Sequence, residues 1–263
     1  MPSSPESRSL AVFCDFENVA LGVREAKYAQ FDMEKVLERL LLKGSIVVKK
    51  AYCDWDRYKE FKAAMHAASF EMIEIPHVRQ SGKNSADIRM VVDALDLCYT
   101  KQHVDTFVIV SGDSDFSPLV SKLRENAKTV IGVGVKNSSS DLLIANCDEF
   151  IYYDDLVRAD EQKRRAAKKR RESAPAGEDK DKKQEAFDLM LETLNALIAE
   201  RGEDERIWGS MIKQALKRRK PGFNESYYGF RAFSDLLEEA EKRALIKLEP
   251  DEKSGGYLIR PAA

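Results

Sequence analysis

Thr106-Phe-Val-Ile-Val110, followed at once by Ser111-Gly-Asp-Ser-Asp-Phe116, decides how the rest of the chain is read. A continuous run of β-branched and aromatic residues offers no polar face to water, so it predicts a strand covered on both sides. Such strands belong to parallel sheets flanked by helices. The neighbouring sequence keeps that alternation. Upstream, Leu10–Cys14, Ile46–Tyr52 and Glu71–Pro76 read as strands, with helices from Asp32 to Leu42 (stopped at Gly44), from Asp54 through Ala68, and from Ala86 to Tyr99 behind a Ser85 cap. Downstream come a helix near Pro118–Asn126, a strand Thr129–Val135, a polar turn Lys136–Ser140, a short helix and a last strand Glu149–Tyr153. The expectation is an α/β domain over residues 1–155: a mainly parallel sheet with helices on both faces.

Composition shifts after that point. Residues 1–155 hold 19 basic against 24 acidic residues, residues 156–185 hold 11 against 7, and residues 186–263 hold 13 against 14. The middle segment is almost wholly charged over Glu161–Glu172 and has too few apolar residues to pack, so it reads as a basic, solvated linker with room for some helix, with phosphate gripping as the alternative. Beyond it, helical spacing recurs at Phe187–Ile198, at Trp208–Leu216 and at Tyr227–Ala240, and then Leu245–Leu248 and Tyr257–Ile259 read as a hairpin. Three helices and a hairpin outline a small winged-helix α+β domain at 186–263. Four cysteines, Cys14, Cys53, Cys98 and Cys147, show no CxxC spacing and read as free thiols of a reducing compartment. No apolar run is long enough to span a bilayer and the start lacks a signal-peptide pattern, so the expected location is cytoplasmic, with no membrane partner.

The chemistry collects at the strand ends. Asp15 follows the first strand, Asp113 and Asp115 follow Thr106–Val110, and Asp87 sits in the first turn of the helix opened by Ser85. In an open α/β sheet, ligands bind outside the carboxyl ends of the strands. Carboxylates gathered there repel one another unless a cation joins them, and oxygen-only ligands favour a hard ion, Mg²⁺ or Mn²⁺. Such a centre suits phosphodiester hydrolysis. Each acid also has a plain reading as a turn former, a helix cap or a dipole partner.

These residues carry a resemblance. Phe13-Cys-Asp-Phe-Glu-Asn-Val19, Lys83-Asn-Ser-Ala-Asp-Ile88 with Val92-Asp93-Ala94, and Val110-Ser-Gly-Asp-Ser-Asp-Phe116 together resemble the NYN family of PIN-like nucleases over residues 10–155. The resemblance implies a Rossmann-like sheet and a ribonuclease centre using Mg²⁺ or Mn²⁺. In it Asp15, Asp87, Asp113 and Asp115 hold metal or orient water, and Asn18 supports the Asp15 turn and the scissile phosphate. Ser111 and Ser114 would orient those acids, and Lys83 would contact RNA. Asp93 matches a family position but lies about 120° round the helix from Asp87, which ranks it lower.

Residues 186–263 resemble the LOTUS (OST-HTH) winged helix through Pro221–Phe233, Leu236-Leu237 and the Tyr257-Leu-Ile hairpin. That resemblance implies an RNA-binding module, with a protein partner as the alternative. The third helix ends Asp235-Leu-Leu-Glu-Glu-Ala-Glu241, which would repel a phosphate groove and argues against ordinary double-stranded DNA readout. Lys213, Lys217, Arg218, Arg219 and Lys220 are the candidate phosphate contacts, with Tyr228 or Phe223 for base stacking.

Other chemistries fit less well. His66, His77 and His103 show no metal spacing, no P-loop is present, and Gly132-Val-Gly134 reads as strand packing. A phosphatase with Asp15 as nucleophile meets Glu17 where the haloacid dehalogenase pattern has its second Asp. The expectation is therefore a metal-dependent endoribonuclease with an RNA-binding module; a non-catalytic RNA- or protein-binding scaffold is the alternative, and DNA cleavage is a weaker third. Edge strands leave room for an oligomer.

Overall fold

The computed structural model describes residues 8–75, 85–171, 178–202, 205–251 and 256–262. They divide into two units, Met1–Ala166 and Ala167–Ala263.

In the first unit, β1 (Arg8–Asp15), β2 (Gly44–Cys53), β3 (Glu71–Glu74), β4 (Thr106–Val110), β5 (Thr129–Gly134) and β6 (Glu149–Tyr152) form one sheet in the order β3-β2-β1-β4-β5-β6. Every pairing in it is parallel. The helices are α1 (Phe16–Glu25), α2 (Met33–Lys43), α3 (Lys62–Ala67), α4 (Ser85–Thr100), α5 (Ser117–Glu125), α6 (Asp141–Asn146) and α7 (Tyr153–Arg171), whose course crosses the division between the units.

The two-residue period of β1 explains why both faces must be covered. Leu10, Val12 and Cys14 enter one core layer with Val19 and Val23 of α1, Val36 and Leu40 of α2, and Met65 of α3. Ala11 and Phe13 enter the other, with Met90, Ala94 and Cys98 of α4, Leu119, Val120 and Leu123 of α5, and Leu143 of α6. The expected α/β sheet with helices on both faces is what the chain forms.

Two local expectations differ. Helix α1 begins directly after Asp15, where no helix was predicted; Gly22 interrupts its pattern because a Cβ there would stand 2.4 Å from Ser138 Oγ. The helix expected from Asp54 to Ala68 is shorter, since a turn and a 3-10 segment precede Lys62. The charged segment 156–185, expected to be a solvated linker with room for some helix, is helical in its described parts, carrying α7 on to Arg171 and opening α8 (Glu178–Arg201). An acidic residue one turn ahead of a basic one supports a helix poor in apolar residues, as in the i,i+4 pair Asp160–Arg164 (3.2 Å).

The second unit runs α8, β7 (Ile207–Trp208), α9 (Gly209–Arg219), α10 (Phe233–Lys242), β8 (Ile246–Asp251) and β9 (Gly256–Pro261). Its antiparallel sheet has the order β7-β9-β8. Helix, strand, two helices and a hairpin is the order of a winged helix. Phe187, Met190 and Leu194 of α8, Ile212 and Leu216 of α9, and Leu236 and Leu237 of α10 are buried. All four cysteines are free thiols, and no helix among the described residues is long and apolar enough to cross a membrane.

Candidate functional site

The sheet order reverses between β1 and β4, and this is where an open α/β sheet parts its loops to leave a crevice. Cys14 pairs with Val110, so Asp15 and Ser111 leave neighbouring strands side by side. A short network joins the two ends. Ser111 Oγ donates to Asp15 Oδ2 at 3.1 Å and accepts from the Asp113 N–H at 3.2 Å. The Gly112 N–H donates to Asn18 Oδ1 at 2.9 Å, and the Asn18 N–H donates to Asp15 Oδ1 at 3.3 Å. Asp15 therefore does cap α1, and Asp113 caps the turn after β4 by accepting from the Asp115 N–H at 3.0 Å. The plain role and the chemical one coexist, because each carboxylate oxygen keeps a second lone pair.

Electrostatics shows that Asp87 belongs to the same group. Burial, then the charges of Asp87 and Asp113, push Asp15 up to about 7, although its bonds from Asn18 and Ser111 act the other way. Burial, then Asp113, Asp115 and Glu17, push Asp87 up to about 6. Four acids from three elements thus share one field. Among the described residues, however, no three His, Cys, Asp or Glu side chains stand close enough together to hold a metal ion as placed.

Glu17 was missed as a member of this field. It pairs with Arg57 at 3.2 Å, which puts a cation at the edge of the acidic group. Its position two residues after Asp15 was the available signal, obscured because α1 itself went unread. Ser114 lies in the turn beside these acids, half-buried. Asp93 is placed elsewhere. It accepts from the Tyr52 hydroxyl at 2.8 Å and pairs with Lys50 at 3.3 Å and Arg89 at 3.1 Å. Against the burial that would raise it, those partners hold its carboxyl below the usual range, as suits a structural ion pair. Lys83 lies outside the described residues.

Gly112 fixes how close the turn sits to the next loop. A Cβ there would meet Ser138 O at 2.5 Å and Ser139 Cα at 2.9 Å, both backbone atoms that cannot swing aside. Gly112→Ala is expected to cost about 1–3 kcal/mol, read as a lowered urea midpoint, because the loop after β5 has to move.

In the second unit the candidate cations separate into two kinds. Arg219 is nearly buried, bonding Glu192 at 2.9 Å and Thr193 Oγ1 at 3.3 Å, so it holds α9 to α8 instead of facing solvent. Lys213 pairs with Glu225 at 2.9 Å, and Arg218 is half-buried. Lys217 and Lys220 are exposed. Phe223 is buried, and half-buried Tyr228 spends one ring face on it, with centroids 5.3 Å apart. The exposed ring is Tyr227, at 64%, with Lys182 Nζ 5.5 Å from its centroid. Alternation of Tyr227 and Tyr228 in the sequence did not reveal which one faces out.

The fold and the acidic strand ends define a PIN-like α/β domain of a nuclease-type family. The NYN domain profile matches residues 9–154, more than half of the chain, and the chain belongs to that family. It is similar to an uncharacterised protein of Methanocaldococcus jannaschii, 28% identical over 137 residues that make up 52% of this chain and 54% of that one. It is also similar to the meiosis regulator and mRNA stability factor 1 of Xenopus tropicalis, 26% identical over 148 residues, 56% of this chain. The chain spans about half the length of the first relative and 9% of the second. A solved structure of a Vibrio parahaemolyticus protein of unknown function superposes with a TM-score of 0.52 at 28% identity, covering 59% of this chain and 98% of that one.

Proposed function

We propose that residues 1–155 form a divalent-metal-dependent ribonuclease domain, and that residues 186–263 form a LOTUS-like module recruiting RNA to it, joined by the charged segment 156–185. The observation that carries this reading is the joint edge of β1 and β4, where Asp15 and Asp113 are tied through Ser111 and share their field with Asp87. Family membership and the mRNA-related name of one relative support RNA as the substrate.

The donor set suits a hard cation: it is oxygen-only, mutually repelling and partly open to solvent. Mg²⁺ or Mn²⁺ bound by Asp15, Asp87, Asp113 and Asp115 would supply positive charge to a phosphate and acidify a water. The chain's own residues do the rest. Asn18 has its carbonyl oxygen committed to Gly112, which leaves its amide NH₂ as a donor for a phosphate oxygen. Asp87 and Asp115 present proton acceptors at the open side, Asp87 being half-buried and Asp115 exposed. Arg57 stands at the edge as a phosphate contact.

A scaffold that binds RNA or protein without cutting is the second reading, favoured by the fact that no three candidate ligands among the described residues stand within reach of one ion. Cleavage of labelled single-stranded RNA, structured RNA and DNA with Mn²⁺, Mg²⁺ or EDTA separates the two. Metal-dependent RNA cutting supports the nuclease; tight RNA binding with no cutting under any condition supports the scaffold.

For the second unit, Tyr227→Ala is expected to weaken single-stranded RNA binding by about tenfold, the usual worth of one stacked base. Fluorescence anisotropy would read it. Unchanged affinity would remove Tyr227 from the interface.

A further inference from the structure

Helix α4 turns an apolar ridge away from its own core. Ile88, Val92 and Tyr99 are 63%, 54% and 61% exposed, and Leu95, half-buried with part of its side chain against the core, lies between them. Met90, Ala94 and Cys98, on the opposite side, fill the space against the sheet. A helix packed on one side of a domain normally shows polar residues on the other. Here the outward positions recur at separations of four, three and four, the spacing of a helix-packing seam.

That spacing reads the same in both directions, which is the condition for self-recognition about a two-fold axis. Laid antiparallel, two copies of α4 bring Ile88 against Tyr99 of the second copy and Val92 against Leu95 of the second copy. The flank of the ridge adds a sign. Arg89 and Asp96 lie seven residues apart on the same edge of the helix, both exposed. An antiparallel two-fold sets like edges together, so Arg89 of each copy faces Asp96 of the other, twice. Arg89 already bonds Asp93 at 3.1 Å, but a guanidinium has five donors and can serve both carboxylates.

We propose that the outward face of α4 is a homodimer surface, closed by an antiparallel pair of α4 helices with reciprocal Arg89–Asp96 contacts. The surface is independent of whether the chain cleaves RNA. The ridge is only about 16 Å long at the helical rise. It is therefore small beside the roughly 1,600 Å² of a standard stable interface, and the dimer is reversible and concentration-dependent.

Sedimentation equilibrium of the full chain over about two decades of concentration tests this, with circular dichroism melting to confirm that each variant is folded. Wild type is expected to shift from monomer to dimer, and Val92→Glu to remain monomeric. Arg89→Glu alone and Asp96→Lys alone each set two like charges against one another, and each is expected to weaken association at least about tenfold. An equimolar mixture of these two variants restores both opposite-charge contacts and is expected to associate about as well as wild type. A wild type that stays monomeric throughout overturns the proposal. So does a dimer indifferent to Val92→Glu, or a mixture that associates no better than the single variants.

Discussion

Asp113→Asn is expected to lower metal-dependent RNA cleavage at least about 100-fold while leaving RNA affinity within a factor of about two. The side chain keeps its size and its carbonyl oxygen, so it can still accept the Asp115 N–H that closes the turn at 3.0 Å. What it loses is charge. Asp113 is among the charges that raise both Asp15 and Asp87, so its removal takes away one arm of any cation's coordination while easing repulsion in the free protein. The variant is therefore expected to be as stable as wild type, or slightly more so. That combination distinguishes a lost active site from a lost fold. Single-turnover cleavage, RNA anisotropy and a thermal melt on the same preparation read all three quantities. Equal cutting by both proteins would point to a contaminant and leave the acidic strand ends without a catalytic role.

The parallel sheet was legible from Thr106–Val110: four apolar residues behind a threonine, largely β-branched, call for cover on both sides, and all five are buried. The acids were legible from their places on the elements: Asp15 ends β1, Asp113 and Asp115 lie in the turn after β4, and Asp87 lies in the first turn of α4. The network between them was not. Pairing of β1 with β4 is a long-range event, and only that pairing lets Ser111 reach Asp15 across 96 residues of sequence. Helix α1 was hidden by its own glycine, and with it Glu17. Asp93 shows the limit in the other direction: a position that matches a family pattern is engaged by Tyr52, Lys50 and Arg89. In the second unit, spacing identified the helices but not the outward ring, because Tyr227 and Tyr228 sit in a 3-10 turn where the helical period of 3.6 fails.

The second large effect concerns stability in the absence of metal, and its sign follows from Asp15. The carboxyl has an ordinary value of 3.8 and is pushed up to about 7 in the fold, by burial first and then by Asp87 and Asp113. The folded protein thus holds a proton that the unfolded chain releases. The associated stability is complete below about pH 4 and is lost progressively as the pH rises through about 7. Between pH 5 and pH 8 the metal-free protein is expected to lose on the order of 3 kcal/mol in its first unit. Asp15→Asn removes the buried charge and keeps an oxygen for the Asn18 N–H, so it is expected to be less stable than wild type, or equal to it, at pH 5 and more stable at pH 8. Urea unfolding followed by Trp55 fluorescence in a Trp208→Phe background would isolate that unit, since these are the chain's two tryptophans. Mn²⁺ or Mg²⁺ should act on the same term: it competes with the proton for Asp15, so added metal should raise the wild-type midpoint at pH 8, do so less at pH 5, and leave the Asn variant nearly unmoved. A wild-type profile that rises from pH 5 to pH 8, together with no response to metal, would mean that the acids at the ends of β1 and β4 neither repel one another nor share a cation, and the proposed centre would fall with that result.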